Sequence, residues 1–188
     1  MKKYEFTGET KRVELWNRTA TLHRIKATVE FGFVKVGELG GWIEKEENLS
    51  HEGKAWVCGD AEVWGNAKVW GNAEVWGNAE VWGNAKVWGN AEVWGNAEVC
   101  GDAKVCGDAK VFLASHVLVM GSVGSRNDFT TFFRDKDNEI TVKCGCFLGK
   151  IDKFLEKVTQ THGNNKYALV YRAAVEVAKL QIELTERK

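Results

Sequence analysis

The sequence contains no proline, has no net charge and lacks any long apolar run. Its 188 residues include 26 basic and 26 acidic side chains, and this balance gives no electrostatic reason to expect nucleic-acid or membrane binding. No apolar run reaches the roughly 18 residues that predict a transmembrane helix. Residues 1–5 are polar and do not have the pattern of a signal peptide. We therefore expect a cytoplasmic protein.

Histidine and cysteine, the usual ligands of zinc, are also scarce. The four histidines are too scattered along the chain to suggest three converging zinc ligands. Three of the five cysteines stand where a repeat otherwise has tryptophan, so they are interpreted as small apolar residues. The remaining pair, Cys144 and Cys146, has no second pair at ligand spacing. We expect neither a metal nor a cofactor.

What the sequence does contain is a six-residue repeat, Gly-(Asn/Asp)-Ala-(Glu/Lys)-Val-(Trp/Cys). Nine copies run from residue 59 to residue 112, a looser copy precedes them, and Val117 and Val123 keep the period with altered letters. So short and regular a period predicts a β-solenoid. Because strand side chains alternate, Ala and Val should face the axis while the charge and Trp face outward. Gly and Asn/Asp tolerate the strained backbone of a corner.

The pattern V-x-G-N-A-x resembles the hexapeptide-repeat proteins, which form a left-handed parallel β-helix. The resemblance covers residues 53–124 and implies a triangular coil built from three hexads. That family includes acyltransferases, carbonic anhydrases and proteins of no known activity, so the resemblance implies the fold and not one function. The sequence also differs from the enzymes of the family. Those often have Gly directly after the aliphatic position, where this sequence has Trp.

The segments that flank the repeat resemble short hexapeptide-repeat proteins encoded by bacteriophages and prophages. The resemblance lies in MKKYEFTGETK, LGGWIEKEENLS and GSRNDFTTFFRDKDNE. Phage proteins of this size often counter bacterial defences, and some sequester nucleotide second messengers. The resemblance therefore implies a viral anti-defence protein that binds such a nucleotide.

The chain before the repeat is predicted as a β-rich N-terminal cap, residues 1–40. Alternating apolar residues indicate strands there, including one at residues 31–36. Six-residue steps back from Ala55 reach Leu49 and Ile43, so the solenoid, residues 41–124, should begin irregularly near Trp42. A cap is needed because an open solenoid end is an unpaired sheet edge.

Residues 125–188 are predicted as a C-terminal ββαα domain that caps the other end. A hairpin is expected from strands at residues 130–134 and 140–144. Two helices follow, one ending at His162 before Gly163 and one from residue 165 to residue 184, with charged residues after it. The buried face of the second helix is predicted to contain Val170, Tyr171, Ala174, Val177 and Ala178.

The outward faces of the solenoid predict self-association. With 18 residues per coil, Glu62, Glu80 and Glu98 stack on one face, and Lys68, Lys86 and Lys104 stack on the next. Each charged column runs beside a ladder of Trp residues, a larger apolar surface than a soluble monomer usually exposes. We expect a homotrimer in which the Glu face of one chain meets the Lys face of the next.

Two other interpretations of these faces remain open. In the first, the Trp ladders only stack on themselves and shield the sheet, while Glu and Lys stay solvated. Alternatively, the Lys and Trp face binds an anionic aromatic ligand such as a nucleotide or a single strand. Under either alternative the chain need not be a trimer.

A small-molecule site is predicted where the solenoid ends. Two guanidinium groups, an amide, a carboxylate and two hydroxyls fall within ten residues. Such groups suit a small anion, because Arg forks bind phosphate and carboxylate bidentately. The alternative is a turn that closes the last coil. The candidate ligand-binding residues are Arg126, Asn127, Asp128, Thr130, Thr131 and Arg134.

The sequence favours binding over catalysis. Acyltransferases of the resembled family use one His as a general base beside acyl-coenzyme A, and His116, expected to face outward, is the candidate in the solenoid. The prediction is a non-enzymatic protein that sequesters a small anion such as a nucleotide second messenger. An acyltransferase that uses acyl-coenzyme A and a structural or protein-interaction module remain the alternatives.

Overall fold

A parallel β-solenoid forms the middle of the chain. The computed structural model describes residues 2–14 and 18–184; residues 185–188, expected to carry charges after the last helix, lie outside this range. Ten two-residue strands pair in parallel with the strand one coil away, which gives three sheets. They are β4 (Trp56–Val57), β5 (Glu62–Val63), β6 (Lys68–Val69), β7 (Glu74–Val75), β8 (Glu80–Val81), β9 (Lys86–Val87), β10 (Glu92–Val93), β11 (Glu98–Val99), β12 (Lys104–Val105) and β13 (Lys110–Val111).

The predicted orientation of the repeat is confirmed. Every Ala and Val of the regular hexads is buried in one continuous core. The register pairs each residue with the one 18 positions further on, as in Glu80 with Glu98 and Lys68 with Lys86. The hexad glycines all have positive φ, and corner amides hydrogen-bond along the axis, as from Asn66 Nδ2 to Asn84 Oδ1 at 3.2 Å. Side-chain alternation and corner chemistry thus determine the coil.

The N-terminal part is β-rich, as predicted. Strands β1 (Tyr4–Glu14) and β2 (Thr19–Ala27) form an antiparallel hairpin, and β2 pairs with β3 (Leu39–Ile43). Strand β3 then pairs in parallel with β5 through Trp42 and Ile43, close to where the sequence predicts the solenoid to begin. The strand expected at residues 31–36 is wrong: only an isolated bridge joins Phe31 to Val34 across a turn.

The hairpin also covers part of one outer face. Trp64 is only 5% exposed because Ala20 and Leu22 of β2 pack on it. The Lys11 amine lies 2.6 Å from the carboxylate of Glu62. The first residues of the Glu and Trp columns on this face are therefore engaged within the chain.

The C-terminal part is an antiparallel sheet followed by two helices. The predicted hairpin is confirmed, but it belongs to a four-stranded meander. Val117 and Val123 do not continue the solenoid as expected: they begin and end the first strand of this sheet, which pairs antiparallel with the second. Within the described residues, no helix is both long and apolar enough to cross a membrane. The elements are β14 (Val117–Val123), β15 (Asp128–Arg134), β16 (Ile140–Cys144), β17 (Phe147–Lys150), α1 (Ile151–His162) and α2 (Lys166–Gln181).

Helix α1 ends where the sequence predicts, whereas α2 ends at Gln181, three residues before the predicted residue 184, and its buried face differs in part. Helix α1 ends before Gly163, which has a φ of 56°, and Asn165 caps α2 by accepting two backbone N–H bonds. Val170 and Val177, expected to be buried, are 40% and 44% exposed. Ala168 and Val175 pack in the core in their place, so the buried face of α2 is rotated relative to the predicted one.

Strand β15 closes the end of the solenoid. Its side chains alternate between two cores, because Phe133 packs with the solenoid interior and Phe132 packs with the helices. The backbone N–H of Lys136 donates to Asp108 O at 3.0 Å, next to an antiparallel bridge between Ala109 and Asp135. This junction fixes the C-terminal sheet on the last coil, and it decides which predicted site residues remain available.

Candidate functional site

Two predicted ligand residues on β15 are buried in the junction. Thr131 is fully buried, and its Oγ1 accepts the backbone N–H of Lys104 at 3.0 Å. Thr130 is 1% exposed, and its hydroxyl donates to Cys144 Sγ at 3.3 Å. Both hydroxyls have structural partners, so neither projects toward a ligand.

Arg134 is also held at the end of the solenoid. Its Nε donates to Asn138 Oδ1 at 2.7 Å, and its guanidinium lies 4.8 Å from the ring centroid of Phe112. A second nitrogen, Nη1, donates to the carbonyl of Lys110 at 3.4 Å. Arg134 is 7% exposed, so this cation is buried where it joins the last coil to the sheet.

The other three predicted residues lie at or beside the turn between β14 and β15. Asn127 has a φ of 50°, and its Oδ1 accepts the hydroxyl of Ser122 at 3.0 Å. An oxygen of Asp128 lies 3.8 Å from the Lys104 amine. Arg126 is exposed and lies over Gly145, where a Cβ atom would be 2.6 Å from its Nη1. The structure therefore does not gather the six residues into one cluster.

His116, expected to face outward, is fully buried. It ends a short 3-10 turn between the last coil and β14, and its Nδ1 accepts the backbone N–H of Phe112 at 3.3 Å. Burial, helped by the Arg134 charge, lowers its pKa to about 4. The expected orientation is wrong because the chain leaves the repeat before this position and folds over the end of the core.

A cavity of about 360 Å³ lies where the β14–β15 turn, the β16–β17 turn and both helices meet. Arg126 is the one predicted ligand residue that lines it. The floor is apolar and aromatic, and the rim is polar and basic. The lining residues are Ser125, Arg126, Cys144, Cys146, Phe147, Phe154, Lys157, Val158, Thr161, His162 and Tyr171.

Tyr171 organises the inner wall of this cavity. Its ring stacks with His162 at 5.9 Å and meets Phe154 edge-on at 5.5 Å. Burial raises the pKa of its hydroxyl, and Cys144 adds to the effect. A Cβ atom on Gly124 would lie 2.0 Å from that hydroxyl, and Gly124 has a φ of 74°. Only glycine fits at this position, and because it has no side chain the β14–β15 turn lies directly against the Tyr171 hydroxyl.

The rim of the cavity carries unpaired positive charge. Among the described residues, neither Arg126 nor Lys157 has an acidic partner, whereas Lys153, one turn earlier on α1, pairs with Glu156. No carboxylate within residues 2–14 and 18–184 lines the cavity. The C-terminal end of α1 borders it with a partial charge of about −0.5, which two full cations outweigh. The arrangement suits an anion.

Sequence reasoning missed most of this site. Phe154, Lys157, Val158 and Thr161 share one face of α1 at helical spacing, and none of them is among the predicted ligand-binding residues. Tyr171 was assigned to the buried face of α2. The available signal was that α1 places a cation and a hydroxyl at the edge of its apolar face. That signal could not show which turn would meet the helix.

A second cavity, of about 260 Å³, lies beside the last coil and does not form a comparable site. Its buried carboxylate, Asp135, already accepts bonds from the Lys150 amine, the Thr141 hydroxyl and the backbone N–H of Asp137. These bonds hold the pKa of Asp135 below its usual value against the effect of burial. Asp135 therefore serves the junction.

The Trp ladders offer little surface for stacking a ligand. Trp70 and Trp88 are parallel within 3°, with ring centroids 4.9 Å apart, and Trp76 and Trp94 stack in the same way. In each pair the two ring faces turned toward each other are covered, so they cannot stack on a ligand. A nucleic-acid base would need a free ring face.

Comparison with known proteins gives no family. Neither a protein-family model nor a curated protein matches the chain. Within the part of the chain that the structure describes, no group of three His, Cys, Asp or Glu residues is arranged to hold a metal ion.

Proposed function

We propose that this protein binds and sequesters a small anionic ligand in the cavity between Arg126, Lys157 and Tyr171. The supporting observation is that, among the residues the structure describes, two cations without acidic partners line one cavity to which no carboxylate contributes. Leaving two such charges unpaired beside each other is unfavourable, and a bound anion would relieve the repulsion. Ser125 and Thr161 supply hydroxyls that can orient the anion.

Binding is favoured over catalysis because the cavity holds no activated nucleophile and base pair. The Ser125 hydroxyl lies 3.4 Å from His162 Nε2, a long contact, and no carboxylate lines the cavity to orient the imidazole. The acyltransferase alternative is disfavoured by the burial of His116, because a general base must reach its substrate.

The proposal extends to the biological setting implied by the resemblance. We propose that the chain is a left-handed hexapeptide-repeat protein of phage origin, acting in the bacterial cytoplasm. Sequestration of a charged signalling molecule would counter a host defence without any turnover. The proposed class of ligand is the nucleotide second messengers.

A trimer remains our proposal for assembly. Lys68 and Lys86 are exposed, stacked in register and, among the described residues, without acidic partners. Glu80 is stacked between Glu62 and Glu98, and burial together with these two charges raises its pKa. Each column is unfavourable alone, and contact between the Lys column of one chain and the Glu column of another would relieve both. Because Lys11 already pairs with Glu62, the contact relies on Glu80 and Glu98.

Calorimetric titration of the full chain tests the binding function. Inorganic phosphate, pyrophosphate and AMP are the probes, with acetyl-coenzyme A as the probe for the alternative enzyme. We expect at least one of the three phosphates to bind, and Arg126→Ala or Lys157→Ala to weaken it by roughly tenfold or more each. Arg12→Ala, which removes an exposed cation from β1, is the matched control. Absence of binding to all three phosphates would contradict the proposal.

A further inference from the structure

We infer that the ligand is a planar aromatic ring that carries a phosphate, the chemistry of a nucleotide. The inference rests on the proposed function and specifies both halves of the molecule. Two features of the cavity carry it: a cationic rim that matches phosphate better than carboxylate, and an aromatic floor with one ring that is not fully covered.

The rim supplies more positive charge and more donors than a carboxylate can use. Arg126 offers a planar fork that can bind two oxygens, and Lys157 offers a separate amine. A phosphate monoester carries about −1.5 to −2 charge and three acceptor oxygens at neutral pH. A carboxylate carries one charge and two oxygens, so it would leave one of the two cations uncompensated.

The floor of the cavity favours an aromatic body. Phe154 and Tyr171 are 3% and 5% exposed, and they hold each other edge-on at 85°. Phe147 is only half-buried, and its ring is 5.3 Å from that of Phe154. The packed rings fix the orientation of Phe147, so its open surface is a ready platform for a flat ligand. Stacking on such a platform stabilises a bound base by about 1–3 kcal/mol.

The position of Phe147 links the two halves of the proposed ligand. It begins β17 directly after the turn at Gly145, over which the Arg126 guanidinium lies. The cationic fork and the stacking ring therefore meet at one turn. A ring stacked on Phe147 can carry its phosphate toward Arg126 and Lys157 without leaving the cavity.

Four probes separate the contributions of the ring and the phosphate. AMP carries both, ribose 5-phosphate and hexyl phosphate lack the aromatic ring, and inorganic phosphate lacks any organic body. We expect calorimetry on the full chain to show AMP bound about tenfold or more tightly than each of the others, in line with the gain from stacking. Phe147→Leu keeps apolar packing on Phe154, so it should weaken AMP about tenfold and leave ribose 5-phosphate unchanged.

Leu148→Ala is the matched control, because Leu148 is the next residue on β17 and faces the other cavity. It should leave the binding of AMP unchanged. Equal affinity for AMP and ribose 5-phosphate would overturn the inference while leaving the proposed anion-binding function in place. Hexyl phosphate bound as tightly as AMP would also overturn it, since the floor would then select any apolar body. Failure of all four probes and of pyrophosphate would instead remove the proposed function itself.

Discussion

A Cβ atom on Gly89 would lie 2.8 Å from the backbone nitrogen of Gly107, one coil further along the solenoid. Both glycines have positive φ, so each corner needs glycine for its conformation and also for the close approach of the next corner. Gly101, in the last coil, has a φ of 62° but nothing within 4 Å of its Cβ position. The two requirements can therefore be measured separately.

Gly101→Ala should cost about 1–2 kcal/mol of unfolding free energy, the penalty for a side chain in left-handed backbone. Gly89→Ala should cost more, because the next coil must also move away from the new methyl group. Urea denaturation of the two variants gives the difference. Equal losses would show that close approach between corners contributes nothing, contrary to this account.

The corners also show why the solenoid could be predicted and the binding cavity could not. Each hexad of the repeat determines its own neighbours, because the period of six and the register of 18 follow from local alternation. Val81 therefore pairs with Val99 independently of the rest of the chain. The cavity depends on how Arg126, Lys157 and Tyr171, which are far apart in sequence, come together after β15 docks on the last coil. No local pattern encodes that docking, so of these three residues the sequence predicts only Arg126 as a ligand-binding residue.

The stacked carboxylates predict a stability gain from removing charge. Burial raises the pKa of Glu80, and the neighbouring Glu62 and Glu98 add to the effect. A raised pKa means that the ionised form destabilises the fold at neutral pH, and that this penalty disappears as the pH falls through the raised value. In the Lys86→Glu background, where the proposed trimer contact is lost, Glu80→Gln should therefore stabilise the monomer by about 0.5–1 kcal/mol at pH 7, the usual cost of opposed like charges.

The matched control for Glu80→Gln is Glu92→Gln. Glu92 is also stacked against a carboxylate, Glu74, but its other register neighbour is Lys110, whose amine donates to Glu92. This variant should lose stability at pH 7, whereas Glu80→Gln gains it. Thermal melts at pH 7 and at acidic pH provide the comparison. A destabilised Glu80→Gln protein, or an advantage that persists at acidic pH, would contradict the assignment.

The penalty at Glu80 disappears as the pH falls, whereas the burial of His116 predicts that the protein loses stability as the pH falls. The pKa of this histidine falls to about 4 in the fold because the ring is buried beside Arg134, although Glu183 partly opposes the shift. Below pH 6.5 the unfolded chain binds a proton that the folded chain does not, so stability declines between about pH 6.5 and pH 4. The decline attributable to this residue is at most on the order of 3 kcal/mol.

His116→Asn removes the titration but can keep an acceptor for the N–H of Phe112. The variant should be less stable at pH 7, because it leaves space beside the Phe112 ring, which the imidazole meets edge-on at 4.1 Å. Its stability should nevertheless depend less on pH than that of the wild type between pH 6.5 and pH 4. Urea denaturation at pH 7 and pH 5 measures the two slopes, and identical slopes would exclude His116 as their source.

The lysine column provides the test of assembly. Lys86 is stacked between Lys68 and Lys104, and the proposed trimer places this column against the Glu80 and Glu98 of a neighbouring chain. Lys86→Glu should lower the mass in solution measured by light scattering, because the new carboxylate would then face Glu80 and Glu98 of the neighbouring chain. Lys35→Glu, an exposed change in the N-terminal part, should leave the mass unchanged.

A lower mass of the Lys86→Glu variant would reflect dissociation and not unfolding of the chain. Within one chain the new carboxylate of Lys86→Glu would lie between two lysines in register and would replace their repulsion by attraction. The variant should therefore melt no earlier than a wild-type monomer would, even as the assembly dissociates. A wild-type chain that is already monomeric, or a variant of unchanged mass, would refute the trimer and leave the Lys column as a solvated face.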